Sequence, residues 1–329
     1  MKRSIWKTKL YSALFATAFV TVCVQAASAQ SYPQQTIKII MPFAAGGGAD
    51  VVGRALAEQL TTLMGQPVVI ENVAGAGGTI GTARAAKSAP DGYTLFIGTP
   101  STHGTNVAVY PKLSYNAVTD FEPVGLIATS PLMLISSSQF EASSVADLIR
   151  IGKEKPGSLS YGSFGTGSIN HLAIELFLSM AGIQATHVPY RGSAPAMTDL
   201  IAGRIQFTID GPAALSFIRA GTVKLLATGG NQRWGVFPDK PTIAEAGVPG
   251  YESLTWFALF APAGTPAPVV AVLNARLNEA IKTDKLKEAF ARLGVDAAGG
   301  PPSVLARMVD TEIKKWVKVA TEKNIKVEP

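Results

Sequence analysis

An α/β fold in two domains is what this 329-residue chain predicts. An apolar strand, a glycine-rich loop and an amphipathic helix follow one another over 36–64, and the same succession returns about 120 residues later, at 159–181. Two long extended apolar segments, around 121–135 and 255–260, read as strands that cross from one domain to the other and back. With 47% hydrophobic and 16% charged residues, the chain has enough apolar side chain for one large or two medium cores.

Residues 1–29 are set apart from that fold. Lys2, Arg3, Lys7 and Lys9 form a basic start, 10–24 is mostly apolar, and Ala27-Ser28-Ala29 is a small-residue cleavage signal. This predicts a secretory signal peptide cleaved after Ala29 and a periplasmic mature protein. The single cysteine, Cys23, leaves with the leader, so no disulfide and no thiolate metal site is expected. The leader also holds 4 of the 29 Lys and Arg and none of the 23 acids, which leaves a net charge of +2. A balance so near neutral gives no reason to expect nucleic acid or an anionic membrane surface as partner.

The first loop is Pro42-Phe43-Ala44-Ala45-Gly46-Gly47-Gly48-Ala49-Asp50. It lies between a strand at 36–41 and a helix at about 49–64, whose Val52, Leu56, Leu60 and Leu63 repeat at helical spacing. The first turn of a helix leaves backbone N–H groups unpaired, and the macrodipole makes that end partly positive. Glycines let those donors approach a bound group closely. The loop is therefore a candidate anion site made of main chain, or else a tight strand–helix connection. A short strand at 67–70 follows, then a second glycine loop at 71–81, read chiefly as close backbone packing, and a small-residue helix to 87. The strand at 93–98 ends at Ser101, Thr102 and His103, which are candidate donors because ligands gather outside the carboxyl ends of strands in open α/β sheets. His103 reads equally as a structural histidine.

In the second unit Ser144 caps a helix at 145–153, and Leu159-Ser160-Tyr161-Gly162 leads into Ser163-Phe164-Gly165-Thr166-Gly167-Ser168 and a helix at about 169–181. Thr166 and Ser168 can cap that helix or donate to a ligand. Strands at 186–190, 204–210 and 223–228 alternate with helices at about 194–202 and 213–220, and Asp210 ends its strand at the same rim. Thr265-Pro266 opens a helix with Val269, Leu273, Leu277 and Ile281 as its buried stripe. Asp284 caps another helix, ending at Gly294, and Ser303 starts a last one to about 323, with Trp316 expected on the first domain.

Enzyme and nucleotide signatures are missing. Gly75 and Gly77 would need a third glycine where Ile80 stands, Gly165 and Gly167 would need one at Asn170, and no phosphate-loop lysine motif occurs. A secreted hydrolase is the competing class, but Ser163 has Tyr161, not glycine, two residues before it. Histidines 103, 171 and 187 show no metal spacing, and His171 reads as a core residue. No metal, no cofactor and no enzymatic activity is expected.

Taken together the chain resembles the Bug family of extracytoplasmic solute receptors, which serve tripartite tricarboxylate transporters. The resemblance is carried by the 42–50 loop, Glu71-Asn72, Asp91-Gly92-Tyr93-Thr94-Leu95, His103 and Leu113-Ser114-Tyr115. It continues through Asp120-Phe121-Glu122-Pro123-Val124, 161–172, Val188-Pro189-Tyr190-Arg191-Gly192-Ser193-Ala194-Pro195-Ala196 and Phe260-Ala261-Pro262-Ala263-Gly264-Thr265-Pro266. It implies a type II periplasmic-binding-protein fold, two α/β domains with a ligand cleft between them: 30–130 with 254–329 as the first, 131–253 as the second. It also implies that the loops at 42–50 and 163–168 grip one carboxylate of a small mono-, di- or tricarboxylate. The other end of the ligand would be read near Ser101, His103, Tyr190, Arg191 and Asp210. Phe43 and Phe164, one on each loop, could sandwich an aromatic ring. A monomer working with the large and small membrane subunits of a tripartite transporter is the implied setting. A carboxylate sensor feeding a signalling system is the alternative, since it would use the same cleft.

Overall fold

The computed structural model describes residues 32–327, so the expected leader lies outside the described residues. The strands are β1 (Ile37–Met41), β2 (Val68–Asn72), β3 (Thr94–Gly98), β4 (Phe121–Pro131), β5 (Met133–Ser137), β6 (Ser160–Ser163), β7 (Thr186–Pro189), β8 (Phe207–Asp210), β9 (Val223–Thr228), β10 (Leu254–Pro262) and β11 (Asp296–Gly299). The helices are α1 (Gly48–Met64), α2 (Thr79–Ala86), α3 (Asn106–Val109), α4 (Val145–Glu154), α5 (Ile169–Ala181), α6 (Ser193–Ile201), α7 (Leu215–Arg219), α8 (Ala267–Ala280), α9 (Asp284–Leu293) and α10 (Pro302–Glu322).

The strands make two sheets, one ordered β11-β4-β10-β3-β1-β2 and the other β7-β6-β8-β5-β9. In the first, β1 runs parallel to β2 and β3, while β10 runs antiparallel to β3 and β4. In the second, β6 is parallel to β7 and β8, and β5 is antiparallel to β8 and β9. Strand β1 is apolar on both faces because both are covered. Ile37, Ile39 and Met41 join Val52, Leu56 and Leu60 of α1 in one core, and Ile40 joins Phe96 and Phe260 in another. Helix α1 thus buries the stripe its spacing predicts, and α8 does the same with Leu273, Leu277 and Ile281. Gly65 and Gly182 end α1 and α5 in the left-handed conformation (φ 66° and 65°), which glycine adopts without strain.

The chain leaves the first sheet at Pro131, enters the second at Met133 and returns along β10. Three backbone bonds tie these passages together: Leu132 N–H to Ser253 O (3.1 Å), Ser253 N–H to Gly229 O (2.8 Å) and Gly229 N–H to Leu132 O (2.6 Å). Gly229 has no room for a side chain, since a Cβ there would lie 2.5 Å from Ser253 Oγ and 2.6 Å from Ser253 O. This three-way knot ties the passages together where the chain crosses between two lobes.

Several expectations are corrected. Glu71 and Asn72 belong to β2 rather than to the loop, with Glu71 held by Lys38 and Arg84 at 2.9 and 2.6 Å. Residues 101–109, to which the sequence reading assigns no element, form a wide helical turn and α3. Thr283, not Asp284, caps α9 by accepting the Leu286 N–H, and α8 and α10 begin at Ala267 and Pro302. Strand β11 has an alanine- and glycine-rich sequence with no β signature; pairing with β4 makes it a strand. Trp316 does not belong to the first lobe alone. With Val109, Val319 and Ala320 it packs into the core of the second lobe, beside Leu172 and Phe177, while its ring also abuts Gly104 of the first. Helix α10 therefore clasps both lobes, and Lys323 at its end lies 3.7 Å from Glu175 of α5.

Candidate functional site

A cleft of about 540 Å³ opens between the lobes, within the range of small-molecule sites. Its lining comes from the carboxyl ends of strands in both sheets and from the helix starts that follow them. Gly46, Gly48 and Ala49 present the N-terminus of α1, and Phe164, Ile169 and Asn170 present that of α5. Leu132, Thr255 and Phe257 line it beside the crossing between the lobes. A second cavity of about 420 Å³ adjoins the loop end, shares Phe43, Ser101, Phe164, Ile169 and Asn170 with the first, and is lined further by Gly165, Thr166, Gly167 and Ser168.

The first loop is held open by a brace beneath it. Asp50, almost fully buried, accepts the Gly46 N–H at 2.9 Å, Arg54 Nε at 2.9 Å and Asn72 Nδ2 at 2.8 Å. Asn72 also donates to Phe43 O at 3.0 Å. Burial alone would raise the Asp50 carboxyl, but the bonds from Arg54, Gly46 and Asn72 outweigh it and hold it below the usual carboxylate range. Helix α1 has Gly47 as its N-cap, with no side-chain cap bond, so its first-turn N–H groups remain available to a bound anion. The loop at 163–168 is built differently. Ser168 caps α5 by accepting the His171 N–H at 3.3 Å and itself donates to Gly165 O at 2.7 Å. The Gly167 N–H donates to His171 Nδ1 at 3.2 Å. Gly165 and Gly167 take φ values of 120° and 80°, closed to most other residues.

Not all of the expected contact residues line the cleft. Phe43, Gly46, Gly48, Ala49, Ser101, Phe164 and Asp210 line it, whereas Ala44, Ala45, Gly47, Asp50, Thr102, His103, Ser163, Tyr190 and Arg191 do not. His103 is fully buried, stacked on Phe260 at 4.1 Å and edge-on to Phe121 at 5.0 Å. Its Nδ1 is 3.0 Å from Thr102 Oγ1, and burial pushes its pKa down to about 3. Thr102 turns inward as well, bonding Thr99. Tyr190 OH donates to Asp199 Oδ2 at 2.8 Å, and Arg191 is exposed outside the cleft. Ser163 faces inward too: its Oγ is 2.6 Å from His187 Nε2, and His187 stacks on His171 at 3.9 Å. The histidines at 171 and 187, far apart in sequence, are thus neighbours within the second lobe. Ser163 is buried and His187 half-buried, and neither lines the cleft.

Other lining residues give no sequence signal. Ser193, Asn170, Arg219 and Arg292 line the cleft because helices far apart in the chain converge on it. The second glycine loop packs as expected: a Cβ on Gly81 would lie 2.5 Å from Val73 O. Among the described residues no group of three His, Cys, Asp or Glu could hold a metal, and no helix is long and apolar enough to cross a membrane.

Asp210 lies in the cleft wall with both oxygens occupied, accepting from Ser193 Oγ at 2.7 Å and from the Gly211 N–H at 2.6 Å. Burial pushes its carboxyl up to about 7, against those two bonds. The unfolded chain ionises this group near the ordinary aspartate value, so between about pH 4 and 7 unfolding releases a proton. The contribution is present in full below pH 4 and is lost as pH rises toward 7. Asp210→Asn should therefore flatten the decline in stability across that interval by up to about 1.4 kcal/mol per pH unit. Thermal unfolding at a series of pH values checks this, and an unchanged slope counts against a raised Asp210.

Two α/β lobes joined by crossing strands, with helix N-termini from each lining one cleft, define a two-lobed solute-binding protein of the type II periplasmic-binding-protein fold. The description of the tripartite tricarboxylate transporter family receptor matches residues 52–325, and the chain belongs to that family, whose members are receptors rather than enzymes. Protein BugT of Bordetella pertussis is 37% identical over 302 residues, covering 91% of this chain and 93% of that one. The solved structure of Rpa4515 from R. palustris with adipate superposes with a TM-score of 0.81 at 40% identity, covering 90% of this chain and 99% of that one. MatC from Rhodopseudomonas palustris with bound malate gives 0.77 at 36% identity, covering 88% and 99%.

Proposed function

We propose that this protein is a periplasmic receptor, exported by a cleavable leader, that closes on a small carboxylate. It acts as a monomer and delivers the ligand to the membrane subunits of a tripartite tricarboxylate transporter. The observation that carries the reading is that glycine-loop helix starts from opposite lobes, α1 and α5, line one cleft, with the one charged side chain in these first turns, Asp50, spent on Gly46, Arg54 and Asn72. Each offers partial positive charge and backbone donors. An anion that bridges them gains both sets only when the lobes approach, so closure follows from the ligand's charge. Adipate in Rpa4515 and malate in MatC, both dicarboxylates, support this class of ligand.

A thermal-shift screen with adipate, malate, citrate and hexanoate tests it. Saturation at about 100 times Kd should add about 2.7 kcal/mol to stability and raise Tm measurably for at least one acid. A flat response to all four, or ester turnover abolished by Ser163→Ala, would overturn the reading.

A further inference from the structure

Three ionisable residues line the main cleft among the described residues: Asp210, Arg219 and Arg292. Asp210 already spends both oxygens on Ser193 and Gly211. The arginines are differently placed. Arg219 ends α7 in the second lobe and has no ion-pair partner among the described residues. Arg292 lies in the last turn of α9 in the first lobe, and its nearest carboxylate is the exposed Glu288 of its own helix, at 3.9 Å.

Both are exposed, and the lobes touch beside them. Leu215, one turn before Arg219, packs against Gly294, two residues after Arg292; a Cβ on Gly294 would lie 2.2 Å from Leu215 Cδ1. Trp234 of the second lobe donates to Asp296 of the first at 3.2 Å on the same side. This is not the glycine-loop end. The smaller cavity that adjoins the loops shares five lining residues with the cleft, and neither arginine is among them. Leu132, Leu215, Phe257, Leu293 and Val295 supply apolar wall to the same cleft. A cation in the last turn of a helix is favoured by the macrodipole. That accounts for each arginine singly and not for two of them lining one cleft from opposite lobes.

We infer that Arg219 and Arg292 form a distal anion subsite that selects an elongated ligand, with a carboxylate at each end of an apolar body, over a monocarboxylate of the same length. The inference rests on the reading of the glycine loops as the first carboxylate site. Guanidinium groups suit the second carboxylate because they are permanently charged and can bind it in a planar, two-bond geometry. Without an anion, two cations that line one cleft from opposite lobes oppose closure. A carboxylate between them turns that repulsion into attraction, so closure responds to the second charge as well as the first.

Isothermal titration with adipate and hexanoate, on the wild type, Arg219→Gln, Arg292→Gln and the double variant, tests the subsite. The wild type should hold adipate about ten-fold or more tighter than hexanoate. Each single substitution should weaken adipate by about five- to ten-fold, and the double variant should bind the two acids alike, with hexanoate unchanged to within about two-fold throughout. Equal binding of the two acids by the wild type, adipate binding indifferent to both substitutions, or equal weakening of both acids overturns the subsite while leaving the loop site standing. If the wild type binds neither acid, the loop reading falls and the subsite falls with it.

Discussion

Gly48→Val is expected to weaken carboxylate binding by about a hundred-fold while leaving the protein folded. Gly48 is the first residue of α1 and lines the cleft. An added Cβ there meets nothing within 4 Å, so the substitution has room in the fold. The space it takes is the space through which an anion would reach the first-turn N–H groups, and a branched side chain holds the ligand away from them. A hundred-fold loss corresponds to about 2.7 kcal/mol, the worth of one or two charge-assisted hydrogen bonds. Titration with adipate alongside a melting curve checks it: unchanged affinity in a folded variant would mean that the α1 N-terminus does not grip the ligand. Gly48 is a sharper target than Gly47, which does not line the cleft.

Trp316→Ala is expected to cost roughly 3–5 kcal/mol of stability, the usual penalty for removing a buried aromatic side chain. Trp316 is fully buried, its Nε1 donates to Glu312 Oε2 at 2.8 Å, and its ring packs between Gly104 and the core of the second lobe. The cavity would open where α10 clasps the two lobes, so the loss should appear as a fall in Tm and as reduced cooperativity between the lobes. Differential scanning calorimetry reads both. A fall of less than about 1 kcal/mol would show that the site collapses around the missing ring or that the clasp is not tight.

The units that could be read from the chain are those whose pattern is local. The stripe Val52-Leu56-Leu60 marked α1, the apolar runs marked β1 and β3, and Ser144 marked the start of α4, where it accepts the Asp147 N–H at 3.1 Å. The recurrence of strand, glycine loop and helix marked the two helix starts that line the cleft. Elements that depend on a partner were not legible. Strand β11 takes its conformation from β4, and α3 follows a helical turn whose His103 stacks on Phe260, more than 150 residues away.

Side-chain direction divides the site in the same way. Asp50 and Asp210 both follow from the sequence as polar residues at a rim, yet each is consumed by bracing the backbone beside it, Gly46 in one case and Gly211 in the other. His103, Thr102 and Ser163 sit at the right places along the chain and turn inward, because the apolar layer behind the strands takes them up. Arg219 and Arg292 carry no motif, and neither is near a glycine loop in sequence.

The sequence by itself determined the two α/β lobes, the two crossings and the two helix starts that line the cleft, because strand and helix periodicity and glycine's backbone freedom act over a few residues. Only the tertiary structure decided which side chains face the cleft, that three backbone bonds at Leu132, Gly229 and Ser253 tie the crossing together, and that α10 holds both lobes. Those features depend on contacts between residues about 25 to more than 150 positions apart, which packing brings together and no local pattern records.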